Sequence, residues 1–129
     1  EDAEPYLHHN SELVPLYSTV LNEAQQNILK RLDVVVATLF PNLSFVEQNM
    51  FSKQFGGGKS LVLRLWQPIS ANEIEIVSWC LAEQEASPEY KAASLADGIR
   101  VFGISGTFEQ DDVELWSGLS QTSRGRNAR

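Results

Sequence analysis

The stretch VVVATLFPNLSFVEQNMF, residues 34–51, decides the fold. It contains two runs, 34–40 and 43–51, both rich in β-branched or aromatic residues and divided by the turn pair Pro41-Asn42. Two consecutive strands are expected. Downstream, QFGGGKS (54–60) has three glycines in a row, which suits a flexible hairpin loop leading into the apolar run LVLRLWQP. The loop lacks the GxxxxGK[ST] spacing of a phosphate cradle, and no helical pattern follows it. NEIEIVSWCLA (72–82) begins in strict alternation and ends as a continuous apolar run, the pattern of a strand entering a core. Three or four antiparallel strands in a row form a meander.

Both flanks of the meander read as helix. Upstream, residues 1–17 carry two prolines and no clear period, an irregular lead-in. From Ser18 to Asp33, Leu21, Ala24, Ile28 and Leu32 follow helical spacing, which predicts one amphipathic helix. Downstream, Ser87 as N-cap and Pro88 at the first helical position start a second helix. Its expected buried face is Ala92, Leu95, Ala96, Ile99 and Phe102. Gly103 and Gly106 interrupt, and Thr107 with Gln110 three residues on resembles a capping box that opens a third helix. The order helix, strands, two helices gives an α+β fold, helices packed on an antiparallel sheet.

Bulk composition narrows the function. A chain of 129 residues with 43% apolar and 21% charged residues supports one domain with a real core. The formal charge is −7, and the ten Lys and Arg do not cluster apart from the terminal RGRNAR, so no nucleic-acid partner is expected. The apolar runs are far shorter than the roughly 20 residues of a membrane span, so no membrane partner is expected either. The single cysteine, Cys80, excludes an internal disulfide framework and fits a reducing, cytoplasmic compartment. The chain begins at Glu1 without methionine or signal sequence, as an internal piece of a longer protein would.

One residue breaks the helical pattern. In GTFEQDDVELWSGL (106–119), at about 100° per residue, Phe108, Leu115 and Leu119 share a narrow arc expected to face the core, and Asp112 sits among them. A carboxylate among apolar side chains is costly unless paired, protonated or bound to a metal. Three readings are open: an ion pair with Arg64, Arg100 or Arg124; a metal ligand or catalytic acid; or an exposed helix edge. Glu109 and Asp111 have a simpler account, since the first turn of a helix favours negative charge. A ferrous site takes two histidines and one carboxylate. His8 and His9, being adjacent, diverge too much to chelate one ion and read as surface or loop residues.

The ordered blocks TLFPNLSF (38–45), LRLWQPISANEIEIVSW (63–79), RVFGISGTFEQDDVELW (100–116) and the terminal SRGRNAR together resemble the catalytic domain of the large (alpha) subunit of Rieske non-haem iron aromatic-ring-hydroxylating dioxygenases. The likeness covers roughly residues 18–129, and FEQDD is its most specific part. It implies a helix-grip-like catalytic domain, partial here over residues 1–129, in which Asp112 is the carboxylate ligand of a mononuclear ferrous ion. It also implies a substrate cavity lined by Val36, Phe45, Phe102 and Phe108. The family's two histidine ligands and its Rieske [2Fe-2S] domain have no counterpart in this sequence.

The activity implied is addition of dioxygen to an aromatic hydrocarbon to give a cis-dihydrodiol. Electrons come from NADH through a separate reductase or ferredoxin, and the large subunits form a trimer with or without small subunits. By the same resemblance, the isolated piece lacks the ligands needed to turn over. The rival reading is a non-catalytic helix-grip domain that binds a hydrophobic small molecule.

Overall fold

The structure, a computed structural model, describes residue 6 and residues 9–50 and 58–124. The element order is α1 (Val14–Val20), α2 (Glu23–Leu29), β1 (Val35–Leu39), β2 (Leu43–Asn49), β3 (Lys59–Ser70), β4 (Glu73–Leu81), α3 (Pro88–Phe102) and α4 (Thr107–Thr122). The four strands form one antiparallel sheet in the order β1-β2-β3-β4, the meander expected from the sequence. The α+β class holds. Pro41-Asn42 makes the first turn, with a cis Phe40–Pro41 peptide. The predicted hairpin loop at 54–60 lies outside the described residues up to position 57, and β3 begins at Lys59, earlier than the apolar run at Leu61.

The upstream helix is two helices, not one. α1 starts at Val14, inside the expected irregular lead-in, and the chain turns extended at Leu21 before Asn22 caps α2. Asn22 and Gln25 form a reciprocal capping box, Asn22 N–H to Gln25 Oε1 at 2.9 Å and Gln25 N–H to Asn22 Oδ1 at 3.0 Å. A capping box satisfies the orphan donors of a new helix start. The even apolar spacing of the segment hides this break.

Helix α3 packs against β3 and β4. Ser87 caps it as expected, accepting from the Tyr90 N–H at 3.2 Å. Its buried face, however, is Tyr90, Ser94, Asp97, Gly98 and Val101, whereas Leu95 and Ile99, predicted to be inside, are 49% and 56% exposed. The reason is distance between backbones. A Cβ built on Gly98 would lie 2.9 Å from Cys80 Sγ and 3.9 Å from a Val62 methyl, so the helix can approach the sheet only on its small-residue side. Replacing Gly98 with valine is expected to destabilise the domain by about 1–3 kcal/mol through overpacking. A lowered denaturation midpoint is the check, and an unchanged one removes the close-approach account.

At the other end of α3, Leu13, Met50, Ala86 and Tyr90 form a compact core cluster, with Tyr17 packed against it. The Tyr90 hydroxyl accepts from the Lys59 N–H at 2.9 Å and donates to the Lys59 carbonyl at 3.2 Å, tying α3 to the start of β3. Burial pushes the phenols of Tyr17 and Tyr90 up to about 12.

Candidate iron-ligand helix and aromatic pocket

Helix α4 follows α3 after a turn of four residues, 103–106. Its N-cap is Gly106, with no side-chain cap, so the expected Thr107–Gln110 capping box does not form. Gly106 is there for space: a Cβ would run into the carbonyls of Val101 and Gly103, which close the turn.

The face of α4 that meets the sheet is not the predicted one. Phe108, Leu115 and Leu119 are 43%, 60% and 59% exposed, and the helix has no buried residue. Contact instead runs along Glu109 and Trp116, two turns apart on one side. Trp116 stacks edge-on against Trp66 of β3, ring centroids 5.2 Å apart, and the Trp66 indole N–H donates to Ser44 Oγ at 2.6 Å. Glu109, read from sequence as a helix-dipole residue, forms a buried ion pair with Arg64 of β3, the two side chains 13% and 5% exposed. A long-range pair of this kind is invisible to spacing along one helix. The signal lay in β3 itself, where Arg64 stands at the alternating position between Val62 and Trp66 that faces the helices.

Asp112 is half-buried, at the boundary between this packed side and the exposed apolar arc. None of the three candidate arginines goes to it. Arg64 pairs with Glu109, Arg100 with Asp97 at 2.7 Å, and the Arg124 guanidinium donates to Asn72 Oδ1. Among the described residues the Asp112 carboxylate has neither a hydrogen-bond nor an ion-pair partner, and no three His, Cys, Asp or Glu side chains converge on one point. His9 is buried in a bend rather than on the surface, with its Nδ1 3.2 Å from the Tyr17 hydroxyl and its ring against Tyr6 and Tyr17. His8 lies outside the described residues.

Of the four predicted pocket residues, the structure brings two together. Phe102, at the end of α3, and Phe108, at the start of α4, meet edge to face with centroids 6.0 Å apart. The Arg64 guanidinium carbon sits 5.0 Å from the Phe102 ring centroid. Phe102 also borders a cleft of about 700 Å³ with Ile76, Ser78, Glu109 and Val113. Val36 is 70% exposed on edge strand β1, and Phe45 pairs in register with Leu63, on the sheet face opposite Arg64. Neither touches the cleft.

The fold and the uncommitted carboxylate can be set beside known proteins. No family model matches the sequence. The chain is similar to the alpha subunit of biphenyl 2,3-dioxygenase from Rhodococcus jostii, 34% identical over 92 residues, which are 71% of this chain and 18% of that protein. The crystal structure of naphthalene 1,2-dioxygenase from Rhodococcus sp. bound to indole superposes with a TM-score of 0.83 at 30% identity, covering 99% of this chain and 29% of that one. The chain belongs to the aromatic-ring dioxygenase alpha subunits. The alpha subunit of the N,N-dimethyl phenylurea N-demethylase of Sphingobium sp. is also similar, 28% identical over 103 residues, 78% of this chain and 22% of that protein. The chain thus spans about a fifth of the curated relatives it matches.

Proposed function

We propose that this dioxygenase segment supplies the carboxylate ligand and one aromatic wall of the catalytic site of a ring-hydroxylating enzyme, within a partial catalytic domain covering residues 1–129. The observation that carries the reading is Asp112. It is a half-buried carboxylate from which all three candidate arginines are diverted, one turn after an aromatic residue that stacks on a second. Its free oxygens fit the single carboxylate of a two-histidine, one-carboxylate ferrous set. The two imidazoles would come from outside the described residues.

Bound at Asp112, ferrous iron would supply dioxygen activation. The work of this chain is positional. The carboxylate offsets the charge of the metal and holds it at the sheet-facing edge of α4, while Phe102 and Phe108 present an apolar wall that keeps water out and aligns a planar ring through edge-to-face contact. In this reading Val36, on the sheet face that carries Arg64, stays a candidate for the cavity in the complete subunit, whereas Phe45, on the opposite face, is not part of this wall. A Rieske [2Fe-2S] cluster, NADH through a separate reductase or ferredoxin, a trimer of large subunits with or without small subunits, and a cytoplasmic location belong to the same proposal. No described helix is long and apolar enough to cross a membrane.

The relatives divide between ring dioxygenation and N-demethylation, so the reaction needs its own test. The complete alpha subunit, with its electron donors, is given biphenyl or naphthalene under ¹⁸O₂. Both labelled atoms in one cis-dihydrodiol are expected; a product with a single labelled atom overturns dioxygenation. In the same assay Phe102→Ala is expected to shift the ratio of regioisomers severalfold with iron content unchanged. An unaltered ratio removes Phe102 from the pocket.

A further inference from the structure

Arg64 is the most committed side chain in the molecule outside the core. It is 4% exposed, in the middle of β3, and four features converge on its guanidinium. Its terminal nitrogen pairs with Glu109. Its Cζ lies 5.0 Å from the Phe102 centroid and 5.8 Å from the Trp66 centroid, and Nε is buried with no hydrogen-bond partner among the described residues. A buried charge is costly, and breaking its pair from one side costs more still, so its partners matter. Two of its partners are significant by position. Glu109 lies one helical turn before Asp112, and Phe102 is the aromatic residue that stacks on Phe108.

We infer that Arg64 is a positioning residue that sets the distance between the iron-ligand turn of α4 and the aromatic wall of the pocket. This rests on the reading of Asp112 as an iron ligand. α4 has no buried residue of its own, and of its two contacts with β3 the Arg64–Glu109 pair, rather than Trp66–Trp116, is the one in the turn next to Asp112. The same guanidinium, its Cζ over the Phe102 ring at 5.0 Å, also contacts the ring that meets Phe108 edge to face. Arginine and lysine differ here in a usable way. An ammonium can still pair with Glu109, but it presents no planar face to an aromatic ring.

The test uses the complete alpha subunit with three variants, Arg64→Lys, the charge-neutral double variant Arg64→Met/Glu109→Gln, and Asp112→Asn in parallel, each titrated with Fe(II) after metal removal and assayed for regioisomer ratio. The double variant removes both charges together, so neither is left unpaired. It is expected to bind Fe(II) about tenfold or more weakly, the loss typical when a group that orients a ligand is removed, and to shift the product ratio. Arg64→Lys is expected to restore Fe(II) affinity to within about threefold of the parent while leaving the product ratio shifted, a split that follows from keeping the charge and losing the planar face.

Parental affinity and ratio in the double variant overturn the inference. So does Arg64→Lys behaving as the parent in both readouts, and that outcome decides the matter if the double variant does not fold. Asp112→Asn separates the two levels. If it keeps iron, the ligand assignment itself fails; if it loses iron while the Arg64 variants keep theirs, only the role of Arg64 falls.

Discussion

Asp112→Ala in the complete alpha subunit is expected to lose stoichiometric iron and with it all measurable oxygenation. Loss of a group that merely supports a metal ligand weakens binding by about ten- to a hundredfold, and loss of the ligand itself exceeds that. The expectation follows from what surrounds the residue. If Asp112 were a structural ion-pair member, its removal would strand a buried cation and lower stability; Arg64, Arg100 and Arg124 are all engaged elsewhere. If it were a plain helix edge, alanine, a better helix former, would stabilise α4 slightly and change nothing else. Metal analysis and a thermal midpoint on the same preparation distinguish the three. Iron lost with the apo-state midpoint unchanged marks a ligand, a midpoint lowered with iron retained marks a structural charge, and iron and activity both retained end the assignment.

The comparison of sequence with structure turns on which signals are local. The strands and their turn were legible because β-branched runs, Pro41-Asn42 and the alternation of NEIEIVSW are properties of adjacent residues. The start of α3 was legible for the same reason, through Ser87 and Pro88. What failed was the choice of helix face. On α3 the apolar residues Leu95 and Ile99 point outward, because contact with the sheet is set by how closely backbones can approach, and Gly98 and Ser94 allow that approach. On α4 the apolar arc of Phe108, Leu115 and Leu119 is exposed, and an acid and an indole make the contact. Hydropathy reports what prefers to leave water, not which neighbour is present. Asp112 stands out in the sequence because it interrupts the apolar spacing of its own helix; the ion pair of Glu109 does not, because an acid in a first turn already has a reason to be there.

Glu109 is therefore a residue whose replacement is expected to cost the fold heavily. Glu109→Ala strips Arg64, a residue only 4% exposed in the intact protein, of its counter-ion, with Nε already lacking a hydrogen-bond partner among the described residues. Breaking a buried pair from one side costs about 3–5 kcal/mol, because the remaining charge stays desolvated without compensation. The contact with Phe102 is already present in the intact protein, so it does not replace the lost carboxylate. Helix α4 has few means of absorbing the loss: none of its residues is buried, and the Trp66–Trp116 contact lies two turns further on. The expected result is a large fall in the denaturation midpoint, with amide exchange accelerated first along residues 107–116. Adding Arg64→Met to Glu109→Ala should restore most of the midpoint, since the orphaned charge goes with its partner. A double variant no more stable than Glu109→Ala alone would mean that the carboxylate supports α4 through packing and not through its charge.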